Sequence, residues 1–107
     1  MLVYEVNLSV DAEVAPAFAA WLPGHVADLL ALPGFLSADI FRIEEPAVAP
    51  GEVGLSVRYL LRDRAALEAY LRDHAARLRT EGTARFGGRF HADRRVLSPV
   101  SDAPPAV

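Results

Sequence analysis

Apolar and polar side chains alternate along the first ten residues of the chain. The even positions are apolar or aromatic and the odd positions are mostly polar, as the order Leu2-Val3-Tyr4-Glu5-Val6-Asn7-Leu8-Ser9-Val10 shows. A period of two predicts a β-strand with two different faces. The same alternation returns over residues 53–61, and apolar runs in residues 35–44 and 89–97 predict two more strands.

Two intervening segments repeat apolar side chains at steps of three and four, which is the period of an amphipathic helix. We expect Asp11 to cap the first helix and Asp63 to cap the second. The first stripe is Val14, Phe18, Trp21, His25, Leu29 and Leu32, and the second is Leu67, Tyr70, Leu71, His74, Ala75 and Leu78. The sequence therefore predicts one helix in each of these connections.

Proline and glycine mark the expected interruptions. Pro23 and Gly24 lie inside the first stripe and predict a kink or a break near Leu22, because an interior proline removes a helical hydrogen bond. Residues 80–88 contain Gly82 and end in a glycine pair, so we expect only a short helical turn there.

The element order is strand, helix, strand, strand, helix, strand. It predicts an α+β domain of the ferredoxin-like βαββαβ type, with a four-stranded antiparallel sheet that carries both helices on one face. We expect residues 1–97 to form this single domain and residues 98–107, with three prolines, to be disordered or to lie on a neighbour. The apolar residues Val3, Leu60 and Leu97 would face water on the other side of the sheet, so we expect a homodimer that forms a dimeric α/β barrel.

Composition narrows the possible functions. Cysteine is absent from the 107 residues, which excludes disulfides, thiolate nucleophiles and cysteine-bound metals. The net charge is −3 and no basic run is present, which argues against a nucleic-acid partner. No secretion signal or membrane-length segment is visible, so we expect a cytoplasmic protein without a membrane partner. All eleven basic residues are arginine, which is typical of a GC-rich bacterial genome.

Several short motifs resemble a known family. They are Tyr4-Glu5-Val6-Asn7, the pair Trp21 and His25, Leu32-Pro33-Gly34-Phe35, the stretch from Tyr59 through Leu61-Arg62-Asp63, and Arg85-Phe86-Gly87-Gly88-Arg89-Phe90. Together they resemble an uncharacterised bacterial domain-of-unknown-function family of the dimeric α/β-barrel superfamily. The resemblance covers residues 1–97 and implies the fold and the dimer expected above.

The superfamily is similar in shape to antibiotic-biosynthesis-type monooxygenases, haem-degrading enzymes, muconolactone isomerase-like proteins and stress-induced barrel proteins. By that analogy, a reacting member would use a cavity between helices and sheet that is lined by Asn, Trp, Tyr, His and Arg. Fold kinship alone does not assign an activity, so the sequence leaves open whether the chain is an enzyme.

One candidate site lies beneath the helices. Trp21 and His25 are four residues apart, as are Tyr70 and His74, so we expect both pairs to point toward the sheet. The histidines could transfer a proton, or they could be structural and paired with a backbone carbonyl or with a carboxylate such as Glu5 or Asp28. No two ligands are spaced for a metal site, so no metal is predicted.

Haem is not favoured by the sequence either. By the superfamily analogy His74 is the one plausible axial ligand, and it lies too near the start of its helix for that role. We therefore expect no cofactor.

A second candidate site lies on the reverse face of the sheet. Strand alternation places Glu5, Asn7 and Ser9 there with Ser56 and Arg58, and Glu5 can pair with Arg58 or Arg95. Such a cluster is either a pocket for a small anionic or phenolic ligand or a device that fixes how two sheets stack. Across both sites the candidate ligand-binding residues are Trp21, Tyr70, Tyr4, Tyr59, Glu5 and Arg58.

Two functions of different class follow. The first is a ligand-binding or structural dimer without catalysis. The second is a cofactor-independent monooxygenase or isomerase that acts on a small aromatic or conjugated substrate, with His25 or His74 accepting a proton and Asn7 orienting the substrate. Alternation places Asn7 on the wrong face for that role. A cavity of about 300 Å³ or more that touches both histidines would favour the enzyme.

Overall fold

The computed structural model describes residues 1–106 and contains four strands and three helices. In chain order they are β1 (Leu2–Asp11), α1 (Ala15–Leu30), β2 (Phe35–Arg42), β3 (Glu52–Leu61), α2 (Arg64–Asp73), α3 (Ala75–Phe86) and β4 (Phe90–Leu97), with a 3₁₀ turn at Gly87–Arg89 before the last strand.

The strands form one antiparallel sheet in the order β2-β3-β1-β4. Tyr4 of β1 lies opposite Tyr59 of β3 on one side and Val96 of β4 on the other. This is the ferredoxin-like arrangement, and the predicted fold class is confirmed. The second helical segment differs from the prediction because it is divided into two helices.

Strand alternation separates the two faces of the sheet as predicted. Leu2, Tyr4, Leu8 and Val10 of β1 are buried and belong to the hydrophobic core. Their cross-strand partners on β3 include Leu61, Tyr59, Leu55 and Val53. We call the opposite side, which carries the odd-numbered residues of β1, the open face.

The start of α1 differs from the prediction. Asp11 is the last residue of β1 and does not cap the helix; its Oδ1 accepts a hydrogen bond from the Glu13 amide at 3.0 Å. Val14 is the N-cap residue and provides no side-chain cap. Of the kink or break expected near Leu22, the break is absent, because α1 is continuous across Pro23. Pro23 lies on the exposed side of the helix, and burial of Leu22 and Val26 on the other side offsets the lost hydrogen bond.

The second helical segment begins as predicted and then departs from it. Asp63 caps α2 by accepting a hydrogen bond from the Ala66 amide at 2.9 Å. The helix ends at Asp73, and α3 then runs without interruption through Gly82 to Phe86, so the expected short turn is wrong. A Cβ on Gly82 would lie 3.2 Å from the Trp21 ring, which shows that this glycine permits close helix packing.

The periphery of the fold has three further features. Leu71, predicted on the buried stripe, is 46% exposed, because α2 turns that side toward solvent. Residues 98–106 are exposed and lie outside the helices and strands, and Val107 of the predicted tail lies outside the described residues. No helix within residues 1–106 is long and apolar enough to cross a bilayer.

Candidate functional site

A small cavity lies between the helices and the sheet. Its volume is about 60 Å³, which is well below the roughly 300 Å³ at which ligand pockets begin. Its walls are aromatic and aliphatic, with polar groups from the tyrosines, His25 and Arg79. The residues that line it include Tyr4, Trp21, His25, Tyr59, Tyr70, Arg79 and Gly82.

Three tyrosines line this cavity, Tyr4 and Tyr59 from the sheet and Tyr70 from α2. The Tyr4 ring lies 6.0 Å from the Tyr59 ring and 5.7 Å from the Tyr70 ring. Arg79 of α3 donates a hydrogen bond to the Tyr4 hydroxyl at 3.1 Å. Burial raises the pKa of Tyr70 to about 12 and that of Tyr59 further. These phenols therefore stay protonated at neutral pH and can donate hydrogen bonds.

His25 is the polar residue on the α1 side. Its Nδ1 is buried and has no hydrogen-bond partner among residues 1–106; the nearest carboxylate oxygen, Oε2 of Glu81, is 3.8 Å away. Burial lowers the pKa of His25 below its ordinary value of 6.5, against the opposing charges of Glu81 and Asp28. The ring is thus uncharged at neutral pH. The expected pairing with Glu5 is wrong, since Glu5 lies on the open face.

His74 does not share this cavity. It is the residue between α2 and α3, and its Nδ1 lies 3.0 Å from an Nη atom of Arg77 in an exposed contact. Its backbone leaves the helical region there, with φ −133° and ψ −27°, so the four-residue step from Tyr70 no longer predicts a shared face. The expectation that both histidines point toward the sheet is wrong for His74. Nor does His74 fit haem, because its ring does not line the enclosed space.

An ionic cluster occupies the centre of the open face. We call Glu5, Asn7, Ser56, Arg58 and Arg95 the Glu5 cluster. Glu5 Oε1 accepts hydrogen bonds from Asn7 Nδ2 and Arg95 Nε, both at 2.8 Å, and Oε2 lies 2.9 Å from Arg58 Nε. Ser56 donates to Asn7 Oδ1 at 2.8 Å. Glu5 therefore pairs with both of the arginines that the sequence offered as alternatives.

The cluster buries a carboxylate on a face that is otherwise open. Glu5 is 1% exposed, while the side chains of Arg58 and Arg95 that cover it are 54% and 61% exposed. The hydrogen bond from Asn7, followed by the hydrogen bond and charge of Arg95, lowers the pKa of Glu5 below its ordinary 4.5 although burial opposes the shift. Glu5 is thus ionised at neutral pH. Asn7 belongs to this cluster and is separated from the helix-side cavity by the sheet.

A broad concavity lies above the Glu5 cluster. Its volume is about 620 Å³, and Phe41 and Ile43 add apolar walls beside Arg42, Glu44 and Glu45. The apolar residues Val3, Leu60 and Leu97 lie together at one end of the same face, since Val3 pairs with both leucines. The open face is therefore ionic at its centre and apolar at its edges, rather than uniformly apolar.

Metal chemistry finds no support in the side chains of residues 1–106. No three of their histidine and acidic side chains come together in a group that could hold a metal ion. Pairs do occur, such as His91 and Asp93 at 3.3 Å, but both side chains are exposed.

The profile of the family described as Domain of unknown function (DUF4286) matches residues 1–100. The chain belongs to the DUF4286 family. Among curated proteins no match was found for this DUF4286 member.

Solved structures confirm the fold of this DUF4286 chain. A putative antibiotic biosynthesis monooxygenase from Deinococcus radiodurans is 14% identical, with a TM-score of 0.70 and coverage of 100% and 99% of the two chains. A mutant of SnoaB, a cofactor-independent oxygenase from Streptomyces nogalater, is 14% identical, with a TM-score of 0.69 and coverage of 97% and 98%. A putative antibiotic biosynthesis monooxygenase from Nitrosomonas europaea is 15% identical, with a TM-score of 0.67 and coverage of 94% and 100%. At this identity the likeness concerns the fold alone.

Sequence reasoning missed the α3 residues that complete the helix-side cavity in this DUF4286 member. Arg79 and Gly82, which line the cavity, and Glu81, whose Oε2 lies 3.8 Å from His25 Nδ1, all lie in or beside the segment that was expected to be irregular. Leu78, Gly82 and Phe86 are all buried and follow one another at four-residue steps, which indicates a helix. This pattern was missed because Gly82 was interpreted as a helix breaker.

Proposed function

We propose that this protein is a ligand-binding homodimer that holds a small polar molecule on the open face above the Glu5 cluster. The observation that supports this is a buried, ionised carboxylate with two arginines at the floor of a concavity of about 620 Å³. Sites of this kind combine apolar walls with a few polar groups that converge on one point. The proposed binding requires no cofactor.

In this proposal the two open faces pack against each other in the dimer. The protein is proposed to be bacterial and cytoplasmic. Val3, Leu60 and Leu97 supply apolar contacts, and their end of the face carries a groove of about 230 Å³. Covering these side chains with an identical surface removes apolar area from water, and two-fold symmetry closes the assembly.

Sedimentation velocity tests the dimer. We expect the wild-type protein to sediment as a dimer at micromolar concentration and Leu60→Glu to sediment as a monomer, because the new charge would be buried between sheets. Leu71→Glu is the matched control, since Leu71 is already exposed on α2 and its replacement should leave the dimer intact. A monomeric wild type, or equal effects of the two substitutions, would contradict the proposed interface.

An NMR fragment screen tests the binding site. Neutral, cationic and anionic fragments are titrated into the ¹⁵N-labelled full chain, and the amides of Asn7, Ser56 and Arg58 are followed. At least one class of fragment should shift these signals in a saturable way. If no fragment of any charge shifts them, the open face is a structural surface and the proposed function is wrong.

The helix-side cavity supports a second candidate, a cofactor-independent oxygenase or isomerase. His25 is uncharged and its buried Nδ1 has no hydrogen-bond partner within residues 1–106, which makes it a competent proton acceptor beside Trp21. Tyr4, Tyr59 and Tyr70 complete the aromatic walls. Two observations weigh against it: the cavity holds only about 60 Å³ and touches neither His74 nor Asn7.

Oxygen consumption with a panel of phenols and hydroquinones tests this second candidate. Turnover that is lost in His25→Ala and retained in His91→Ala would favour the enzyme. Trp21, the single tryptophan, reports occupancy independently, because it lines this cavity and not the open face. If no compound of the panel changes the fluorescence of Trp21, none of them binds in this cavity, which contradicts the second candidate.

A further inference from the structure

The two arginines of the Glu5 cluster keep much of their hydrogen-bonding capacity. Each guanidinium carries five N–H donors in a planar fork. Arg95 uses Nε and one Nη on Glu5 Oε1, and Arg58 approaches Oε2 through Nε alone, without a well-directed hydrogen bond. Glu5 is the one acid within ion-pair distance of either arginine among residues 1–106. The remaining donors are therefore free for a ligand.

The three charged side chains in contact at the centre of the cluster sum to one net positive charge, while Asp39, opposite Arg58, and Asp93, opposite Asn7, lie on the same face outside ion-pair distance of both arginines. Arg58 and Arg95 together carry +2, and Glu5, whose ionised form is favoured, carries −1. A guanidinium fork matches the two oxygens of a carboxylate better than a single hydroxyl. One ligand carboxylate would neutralise the charge of these three side chains.

The surroundings of the cluster restrict the rest of the ligand. Phe41 and Ile43 form an apolar wall of the same concavity, and the Phe41 ring is about half exposed. Glu44 and Glu45 also line the concavity, against one further arginine, Arg42, so the rim carries a net charge of −1. The wall favours a flat apolar body, and the rim disfavours a second anionic group.

We propose that the ligand of the open face is a small aromatic monocarboxylate, whose carboxylate is held by Arg58 and Arg95 and whose ring packs on Phe41 and Ile43. This inference rests on the proposed function and specifies its ligand class. Asn7 and Ser56 act as positioning residues, because the chain of hydrogen bonds from Ser56 through Asn7 to Glu5 fixes the carboxylate that orients both arginines.

Calorimetry on the full-length protein at low salt tests the ligand class with three probes. Benzoate should bind saturably. Benzamide, a neutral molecule of nearly the same shape, should bind at least about tenfold more weakly than benzoate, because it loses a charge-assisted hydrogen bond. Terephthalate, which adds a second carboxylate, should bind more weakly than benzoate because of Glu44 and Glu45.

Arginine variants test the assigned residues. Arg95→Gln should weaken benzoate binding about tenfold, and Arg58→Lys, which keeps a positive charge beside Glu5, should weaken it to a smaller extent. Arg94→Gln is the matched control, because Arg94 is the adjacent residue of β4 and faces the other side of the sheet. Melting curves confirm that each variant is folded; if Arg95→Gln is unfolded, Arg58→Lys carries the test.

The outcomes separate this inference from the proposed function. Equal binding of benzamide and benzoate, or equal losses in Arg94→Gln and Arg95→Gln, would overturn the carboxylate assignment. If neutral or cationic fragments shift Asn7 and Ser56 while benzoate does not bind, the inference fails and the proposed function stands. If no fragment binds, both fail.

Discussion

The indole ring of Trp21 stacks on the imidazole of His25, with ring centroids 4.6 Å apart and ring planes inclined by 24°. The two residues lie one helical turn apart on α1. The indole covers the imidazole of His25, whose Nδ1 has no hydrogen-bond partner in residues 1–106. Covering the ring in this way favours its uncharged form. The contact therefore links the stability of the fold to pH.

Protonation of His25 should destabilise the protein. The folded-state pKa of His25 is below 6.5, so the uncharged ring makes its full contribution to stability above about pH 6.5. That contribution falls as the pH drops from 6.5 toward the folded-state value. Thermal melts between pH 7.5 and about 5 should show this decline. His25→Gln should flatten it, whereas His91→Gln, which replaces an exposed histidine, should leave it in place. A decline of the same slope in His25→Gln would show that another group is responsible.

Glu5 should confer stability at a lower pH. Its folded-state pKa lies below 4.5, so its contribution is present above about pH 4.5 and is lost as the pH falls through the folded-state value. Glu5→Gln should lower the free energy of unfolding at pH 7 by roughly 1–2 kcal/mol, because it leaves two arginines without the carboxylate that they share. The loss is limited to this range because solvent screens the charges of the half-exposed arginines. Urea denaturation at pH 7 and pH 3 measures both effects, and the variant should approach the wild type at the lower pH.

Glu13→Gln is the matched control for Glu5→Gln. Glu13 also pairs with an arginine, Arg89, at 3.0 Å, but its side chain is 84% exposed. Exposed pairs contribute little, so this change should cost less than about 0.5 kcal/mol. Equal losses in the two variants would show that burial of Glu5 adds nothing.

Two helical glycines should respond to alanine with opposite sign. Gly82→Ala places a Cβ 3.2 Å from Trp21 and 3.4 Å from Phe90, and the strain should outweigh the gain in helix propensity, for a net loss of about 1 kcal/mol. Gly24→Ala meets no atom of residues 1–106 within 4 Å and should stabilise the protein by about 1 kcal/mol. Chemical denaturation measures both variants, and stabilisation by Gly82→Ala would show that the two helices do not approach closely there.

The cap of α2 provides a comparison of two aspartates. Asp63 and Asp73 each pair with the preceding arginine, but only Asp63 accepts a backbone hydrogen bond, from Ala66. Asp63→Ala should lower the free energy of unfolding, because the Ala66 amide loses its acceptor. Asp73→Ala should lower it by a smaller amount, as expected for an exposed ion pair. Equal losses would contradict the capping role.

The sheet was predictable from the sequence because its two faces differ chemically. Tyr4 beside Glu5, and Tyr59 beside Arg58, leave one choice of buried side for both strands. The pairing of Glu5 with arginine followed from the same alternation. The sequence could not reveal that Arg58 and Arg95 bind Glu5 together, because they come from the strands on either side of β1.

The helical layer was less predictable because local signals there have two meanings. Gly82 is a helix breaker in many sequences, but here it accommodates the Trp21 ring, and only tertiary packing distinguishes the two. His74 matched the helical step from Tyr70, yet the helix ends before it. Asp11 has the chemistry of a cap, but β1 extends far enough to include it.

The break at His74 has a mechanical consequence. Tyr70 on α2 and Arg79 with Gly82 on α3 contribute to the same small cavity, but they belong to two separate rods joined at one residue. Because Gly82 lies on α3 and Tyr70 lies on α2, the space beneath Trp21 depends on how α3 packs against α1, whereas the contact between the Tyr4 and Tyr70 rings depends on α2.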